Sequence, residues 1–393
     1  MTLLILLLVG IAVVGHFAIW TRAHCILHSM AWKQETIDIV EQFIYAITLI
    51  LPAYTAWWYF NSPSELDFSL PMVWVMTPLF YLPVCWVAFI VAILFWWSHR
   101  SEFYSNQANY NETTLCSIDL KERAKAPLIN HWKTSLLAKF PGNQILSLTV
   151  NRKELYLKQL PSDLEGFTIT HLSDLHLTGH LTSAFYQQVI EQANQLQSDM
   201  IVIAGDIFDI DSCVDWSAEI FGKLQAKHGV YFILGNHDKR LKDVPAARTA
   251  LTNLGLIDLG SNCSQIQLSE TSIFLAGNER PWFNSPLADE EFKPDPCLKN
   301  QFRLLISHTP DRIDWSVEHQ FDLMLAGHNH GGQIRLPVIG PLVSPSHHGV
   351  RFASGVFYSD PTLMHVSRGI AGSHQIRLNC SPELTQIVLK NKE

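Results

Sequence analysis

The chain has 393 residues, more than one ordinary domain requires, with 48% hydrophobic and only 16% charged residues, against roughly 25% charged in an average soluble domain. A disordered or fibrous chain is thereby excluded. A formal charge of −8, from 28 Lys+Arg against 36 Asp+Glu, gives no electrostatic footprint for a nucleic-acid backbone, and seven cysteines with neither a CxxC pair nor a compact framework read as reduced thiols.

In chain order the apolar excess comes first. No charge occurs between Met1 and Trp20, a run long enough to cross the ~30 Å hydrocarbon layer as a helix. A second uncharged stretch runs from Gln42 to Ser64, and a third from Phe68 to Trp97, ending in Trp96 and Trp97 where an aromatic belt would lie. These have almost no polar face, which predicts a bundle of about three transmembrane helices over residues 1–97 rather than helices of a soluble core. The first span has no basic n-region and no small-x-small site, so it reads as an anchor and not as a cleaved signal. Arg22 and Lys33 after the first span and Arg100 after the third, set against Glu65 and Asp67 in the connection from Asn61 to Leu70, predict an external amino terminus. The remainder would be cytoplasmic, in an integral protein of the inner or plasma membrane.

Residues 98–144 turn polar and irregular, with the stretch SNQANYNETT from Ser105 reading as a linker. A short helix is expected after Pro127, where Leu128, Ile129, Trp132, Leu136, Leu137 and Phe140 recur at helical spacing beside Lys125, Lys133 and Lys139. Its apolar face suits either the membrane interface or the soluble domain, and the pattern does not choose. From 145 to 393 short apolar runs such as FTITHL, MIVIAG, VYFILG, RLLIS and DLMLAG alternate with helical stretches, which predicts an α/β layered domain.

Those five runs end in residues of one chemical kind: Ser173-Asp174-Leu175-His176, Gly205-Asp206 through Asp209, Gly235-Asn236-His237-Asp238, Ser307-His308, and Gly327-His328-Asn329-His330. Open α/β sheets place ligands beyond the carboxyl ends of strands, and the i,i+2 spacing of Asp174/His176 and His328/His330 lets each pair address one centre. Carboxylate, imidazole and amide oxygen without thiolate suit borderline ions such as manganese, iron or zinc, and contain too many imidazoles for a magnesium or calcium cage. Two ions clamping a phosphoryl group need a bridging ligand, and Asp206, midway in the set, is the natural one.

The order D-x-H, GDxxD, GNHD, H, GHxH resembles the signature of calcineurin-like metallophosphoesterases, and the likeness continues through Gly331 to Pro337, Val366 to Gly369, and Arg377, Asn379, Pro382 and Glu383. Within that family it looks like the YkuE-type branch and the transmembrane proteins with a metallophosphoesterase domain. The resemblance spans roughly Ile145 to Leu389. It implies a layered sandwich of mixed sheets with flanking helices, holding two divalent ions, manganese first with iron or zinc as alternatives. It further implies that Asp174, His176, Asp206 and His330 hold one ion, and that Asp206, Asn236, His308 and His328 hold the other. His237 would act on the leaving oxygen or the developing charge, with Asp209 orienting its ring, while Ser307 and Asp238 would serve the turns or support the ligands from behind. Arg335, Arg368 and Arg377 read equally as phosphate contacts or as structural arginines. The lone histidines His171, His180 and His228 are not taken as ligands, and the pair His347-His348 is unassigned.

The expected activity is hydrolysis of a phosphoester or pyrophosphate at the lipid bilayer, with no nucleic-acid partner. An amphiphilic substrate, such as a phospholipid or UDP-diacylglucosamine, which some enzymes of this type hydrolyse, would account for the anchor. A non-catalytic scaffold is the alternative, and it should show as missing ligands or a replaced His237; none is missing.

Overall fold

The computed structural model describes residues 2–61, 72–260, 262–285, 287–294 and 300–392. The chain divides into two compact units, Met1–Tyr104 and Ser105–Glu393. The connection 62–71, with the Glu65 and Asp67 of the topology argument, and Cys297 lie outside the described residues.

The first unit contains α1 (Thr2–His28), α2 (Gln34–Asn61) and α3 (Met72–Asn106). Three segments, Leu7–His28, Gln34–Tyr54 and Phe80–Asn109, are long and apolar enough to cross a membrane. The helices outrun the apolar runs of the sequence, α1 passing Arg22 to reach His28 and α2 starting at Gln34. Backbone hydrogen bonding carries a helix past the point where its side chains turn polar. Leu27, Ile37 and Ile44, with Trp20, Ala23 and Val40 against them, make a small apolar seam between α1 and α2.

The second unit is a four-layer sandwich. A seven-stranded sheet has the order β1 (Tyr110–Asp119), β2 (Ser147–Leu157), β15 (Glu383–Asn391), β3 (Thr168–Leu172), β4 (Met200–Ala204), β5 (Val230–Ile233), β6 (Ile257–Asp258). The other, of six strands, has the order β13 (Gly355–Ser359), β14 (Thr362–Val366), β10 (Leu323–Ala326), β9 (Gln301–Ser307), β8 (Thr271–Asn278), β7 (Cys263–Leu268). Both are mixed: β3 to β6 run parallel in one, as do β8, β9, β10 and β14 in the other, with antiparallel strands at the margins. Helices α5 (Ser183–Gln195), α6 (Ser217–Phe221) and α7 (Val244–Thr252) cover the first sheet, α8 (Ile313–Glu318) covers the second, and α4 (Trp132–Leu137) and the ribbon of β11 (Arg335–Leu336) and β12 (Gly340–Pro341) lie at the periphery of the fold's connectivity.

The two-residue period of the strands feeds three apolar layers. On β4, Met200, Val202 and Ala204 face the inter-sheet core, while Ile201 and Ile203 face the helices. On β10, Leu323 and Leu325 join the inter-sheet core, and Met324 and Ala326 the layer under α8. Strands buried on both faces read as continuous apolar runs, which is why these segments stand out in the sequence.

The stretch 110–119, read from sequence as part of a linker, is strand β1, paired antiparallel with β2 at the sheet margin. Most of its side chains are exposed, so it carries none of the apolar pattern that marks a strand. The helix expected after Pro127 is a short α4; Leu128 is buried in the main core, whereas Trp132, Leu136, Leu137 and Phe140 are exposed.

Candidate metal centre

Because β3, β4 and β5 are parallel, and so are β9 and β10, their carboxyl ends open at one edge of each sheet, and the sequence motifs leave the strands there. Direct bonds tie the two edges together. The ring of His308, after β9, has Nδ1 2.8 Å from the carbonyl oxygen of Ala204 at the end of β4. The backbone N–H of His328, after β10, donates to Asp174 Oδ1 at 2.9 Å. Two glycines permit this closeness: a Cβ at Gly327 would lie 2.6 Å from Asp174 Oδ2, and one at Gly235 would lie 2.3 Å from Asp206 Oδ1.

Five of the expected ligands share an unusual backbone. Asp174, His176, Asp206, His328 and His330 have φ of 52°, 48°, 51°, 69° and 48°. Left-handed conformations in residues other than glycine cost about 1–3 kcal/mol each and persist where surrounding contacts over-determine them. Such contacts are present: the Asp174 and His176 N–H groups donate to the carbonyls of Gly205 and Asp206, and the buried Asp238 carboxylate accepts from the N–H groups of Ile207, Phe208 and Gly235. Asp238 thus serves the turns, and burial first, with the charge of Asp206 second, raises its pKa to about 7.

The side chains converge as two groups with a common member. Donor atoms of Asp174, His176, Asp206 and His330 lie within 4.8 Å of one another, as do those of Asp206, His308 and His328. In the first, His176 Nε2 is 3.2 Å from His330 Nε2 and 3.4 Å from Asp206 Oδ2, and His330 Nε2 is 3.7 Å from Asp174 Oδ1. In the second, His308 Nε2 is 3.2 Å from Asp206 Oδ2 and 3.1 Å from Asn236 Oδ1. Ligands at about 2.0–2.2 Å from a common ion stand about 3 Å apart, so these separations fit two ion positions meeting at Asp206. Among the described residues, the buried atoms Asp174 Oδ2 and His328 Nε2 make no hydrogen bond, and Asp206 Oδ2 is met only by the His176 and His308 rings at the separations just given. Orphaned buried carboxylate oxygens are costly unless something else neutralises them, and a cation does so.

The electrostatics agree. Burial opposes the charged imidazolium of His176, but Asp209, Asp206 and Asp174 outweigh it and raise its pKa to about 9. His308 is likewise raised to about 9, its burial overcome mainly by Asp206. Protons are therefore held where cations would be, and ion binding would release them. His328 and His330 are kept neutral, as metal ligands must be: burial and the neighbouring positive charges lower His328 to about 3 and take His330 well below its usual range.

Asp209 touches more than expected. Its two oxygens accept from separate rings, Oδ2 from His176 Nδ1 at 2.8 Å and Oδ1 from His237 Nδ1 at 2.5 Å. Burial works against the Asp209 carboxylate, but the two imidazoles hold it below the usual range. The His237 ring stands edge-on to that of His176, with centroids 4.5 Å apart, and burial lowers its pKa.

Arg377 is fully buried and donates to the carbonyl oxygens of Arg368 and Ala371; Arg335 donates to Gly331 O and Ser354 Oγ; Arg368 pairs with Glu383 at 3.3 Å. All three hold the loops around His330. Ser307 Oγ donates to Thr309 O, and His347 pairs with Asp311 at 2.9 Å in a cluster that includes His348. His171 is buried between the sheets with Nδ1 2.9 Å from His365 Nδ1. Sequence reasoning did not find Trp282, which follows β8 and sets its ring 5.4 Å from His308 and 4.9 Å from His328, or the carbonyls of Ala204 and Ala371 behind His308 and His330. A backbone carbonyl leaves no signal in residue identity.

The chain's likenesses match this geometry. Residues 167–332 match the family model of the calcineurin-like phosphoesterases. The chain is 29% identical over 237 residues to the uncharacterized metallophosphoesterase YkuE of Bacillus subtilis, covering 59% of this chain and 82% of that protein. It is 28% identical over 229 residues to the phosphodiesterase YaeI of Escherichia coli, covering 57% and 82%. A Danio rerio transmembrane protein with metallophosphoesterase domain is 29% identical over 252 residues, covering 60% of this chain and 56% of its own length. The sandwich and the ligand cluster at its strand ends are accordingly a calcineurin-like metallophosphoesterase domain, whose chemistry is metal-dependent hydrolysis of phosphoesters.

Proposed function

We propose that the protein is a membrane-anchored, dinuclear-metal phosphoesterase acting on an amphiphilic phosphoester or pyrophosphate. The observation that carries the dinuclear reading is Asp206, a member of both ligand groups whose buried Oδ2 lies between His176 Nε2 of one and His308 Nε2 of the other. Asp174, His176, Asp206 and His330 would hold one ion, and Asp206, Asn236, His308 and His328 the other. When bound, such a pair supplies Lewis acidity toward a phosphoryl group and a water nucleophile available near neutral pH. The chain's own residues do the rest. Asp209 fixes the Nδ1–H tautomer of His237, leaving Nε2 to meet the leaving oxygen or the charge that develops on it. Burial of His237 makes its proton easy to give up, and Asp209 beside it stabilises the charged ring while it holds that proton. Manganese is the first ion to test, iron and zinc next.

Membrane anchoring rests on the three apolar helices and on the named transmembrane relative. An amphiphilic substrate is further supported by exposed Trp132, Leu136, Leu137 and Phe140 near Lys133 and Lys139, and by exposed Leu336, Val338, Ile339 and Leu342 around the β11–β12 ribbon. Asn143 and Ile334, which follow and precede these segments, both bridge to Leu378, so the two apolar projections rise from adjoining backbone just beyond His330. Basic and apolar residues in this combination suit an anionic lipid interface. With Arg22, Lys33 and Arg100 facing inward, the domain would work at the cytoplasmic side of the inner or plasma membrane.

The test incubates detergent-solubilised full-length protein and manganese with bis-p-nitrophenyl phosphate, p-nitrophenyl phosphate, a phospholipid and UDP-diacylglucosamine. Hydrolysis of a lipid-linked phosphoester with higher kcat/KM than the nitrophenyl esters is expected; hydrolysis of the soluble esters alone would remove the amphiphilic reading, and no hydrolysis of any would favour the scaffold.

A further inference from the structure

Another group of side chains that could hold a metal ion occurs far along the chain from the strand-end motifs, within the helical unit. His24 and His28 stand four residues apart on α1 and so share one face. Across from them on α2, Glu41 Oε1 lies 3.1 Å from His28 Nε2 and 3.6 Å from His24 Nδ1. Donor atoms of the three lie within 4.8 Å of one another, and the two imidazole rings have centroids 4.4 Å apart. Tyr45, one turn further along α2, donates its hydroxyl to the same Glu41 oxygen at 2.7 Å.

Two features set this apart from an ordinary hydrogen-bonded clamp. First, a single carboxylate oxygen faces a phenol and two imidazoles, and the His24 separation exceeds a hydrogen bond. Ligands on a tetrahedral ion at about 2.0–2.1 Å stand about 3.3 Å apart, and the two measured imidazole separations fall on either side of that value. Second, the three side chains are gathered half-buried against one another between α1 and α2, at the ends of segments apolar enough to cross a membrane and beside the turn that joins them. The ligands also need no ion to meet, since the seam of Leu27, Ile37 and Ile44 already packs α1 on α2 beside them. The Tyr45 hydroxyl behind the carboxylate is the kind of outer hydrogen bond that orients a metal-bound ligand.

We infer that His24, His28 and Glu41 form a third metal site, taking a borderline divalent ion, zinc foremost, through two imidazole nitrogens and one carboxylate oxygen with a fourth position open. Its effect is to fasten α1 to α2 next to the short turn that joins them. The inference is independent of the phosphoester reading, because no residue is shared between the sites.

The test counts zinc retained by full-length protein in detergent after loading and gel filtration. In a background with Asp174→Asn and Asp206→Asn, about one zinc per chain is expected to remain, and adding Glu41→Gln or His28→Ala should remove it. Cobalt in place of zinc should give the intense visible bands of a tetrahedral ion, lost with Glu41→Gln. With the strand-end motifs intact, Glu41→Gln should lower the total by one ion while turnover on bis-p-nitrophenyl phosphate stays within about twofold. Monodisperse elution and an unchanged helical circular dichroism signal show that each variant is folded. Equal zinc content with and without Glu41→Gln, in either background, would overturn the site.

Discussion

Among the described residues, the His237 ring is held through its Nδ1, by Asp209. If its other nitrogen serves the leaving oxygen, His237→Ala should leave metal content intact and lower turnover roughly 10²–10⁴-fold, the usual worth of a positioned proton donor; turnover unchanged at full metal occupancy would make it a packing residue. Gly327 gives a second expectation at this scale. A methyl there would press on Asp174 Oδ2 from 2.6 Å, so Gly327→Ala should reduce metal retention and activity together, with metal analysis as the readout. The side chains that cluster here were legible in the sequence because each is a chemically distinctive residue at a strand end. What could not be read was the sharing: Asp209 serves His176 as well as His237, a relation set by the paths of two loops after β3 and β4. Trp282 was hidden for the same reason, since nothing in its neighbourhood along the chain ties it to His308.

Among the elements, the strands buried on both faces announced themselves and β1 did not, because its side chains are largely solvent-facing and its place is fixed by pairing with β2. The inter-sheet core also contains a polar network that periodicity does not reveal. Lys153 on β2 and Glu383 on β15 meet at 2.8 Å with 4% and 1% of their side chains exposed, and Lys153 continues to His365 at 3.1 Å. Burial alone would raise the Glu383 pKa, but Lys153 and Arg368 outweigh it and hold the carboxyl well below its ordinary 4.5. Its contribution to stability is therefore present above about pH 4.5 and is lost as the pH falls toward the folded-state value. Glu383→Gln leaves the buried Lys153 ammonium to the half-exposed Glu112, 3.6 Å away, and should cost about 3–5 kcal/mol in urea unfolding at neutral pH. The same variant should show a flatter loss of stability on acidification than the parent; an equal slope would mean that other carboxylates set the acid response.

At the scale of the whole chain, the boundary between the two compact units falls at Ser105, with a practical consequence. A fragment starting at Ser105 keeps β1 and the buried Ile118, Leu120 and Leu128, which are 4%, 1% and 6% exposed. It should be soluble and hydrolyse a small diester at nearly the full-length rate, while losing rate on a lipid-embedded ester. A fragment starting near Gln144 bares the edge of β2 and should aggregate, as light scattering would show. The central claim, hydrolysis by two ions joined through Asp206, is tested most directly by stripping the full-length protein with chelator and following bis-p-nitrophenyl phosphate turnover as manganese is restored, beside Asp206→Asn. Activity should vanish with the metal, return on titration in the parent, and stay at least about 10²-fold lower in the variant. Full turnover by chelated protein, or recovery of Asp206→Asn to the parental rate, would contradict it.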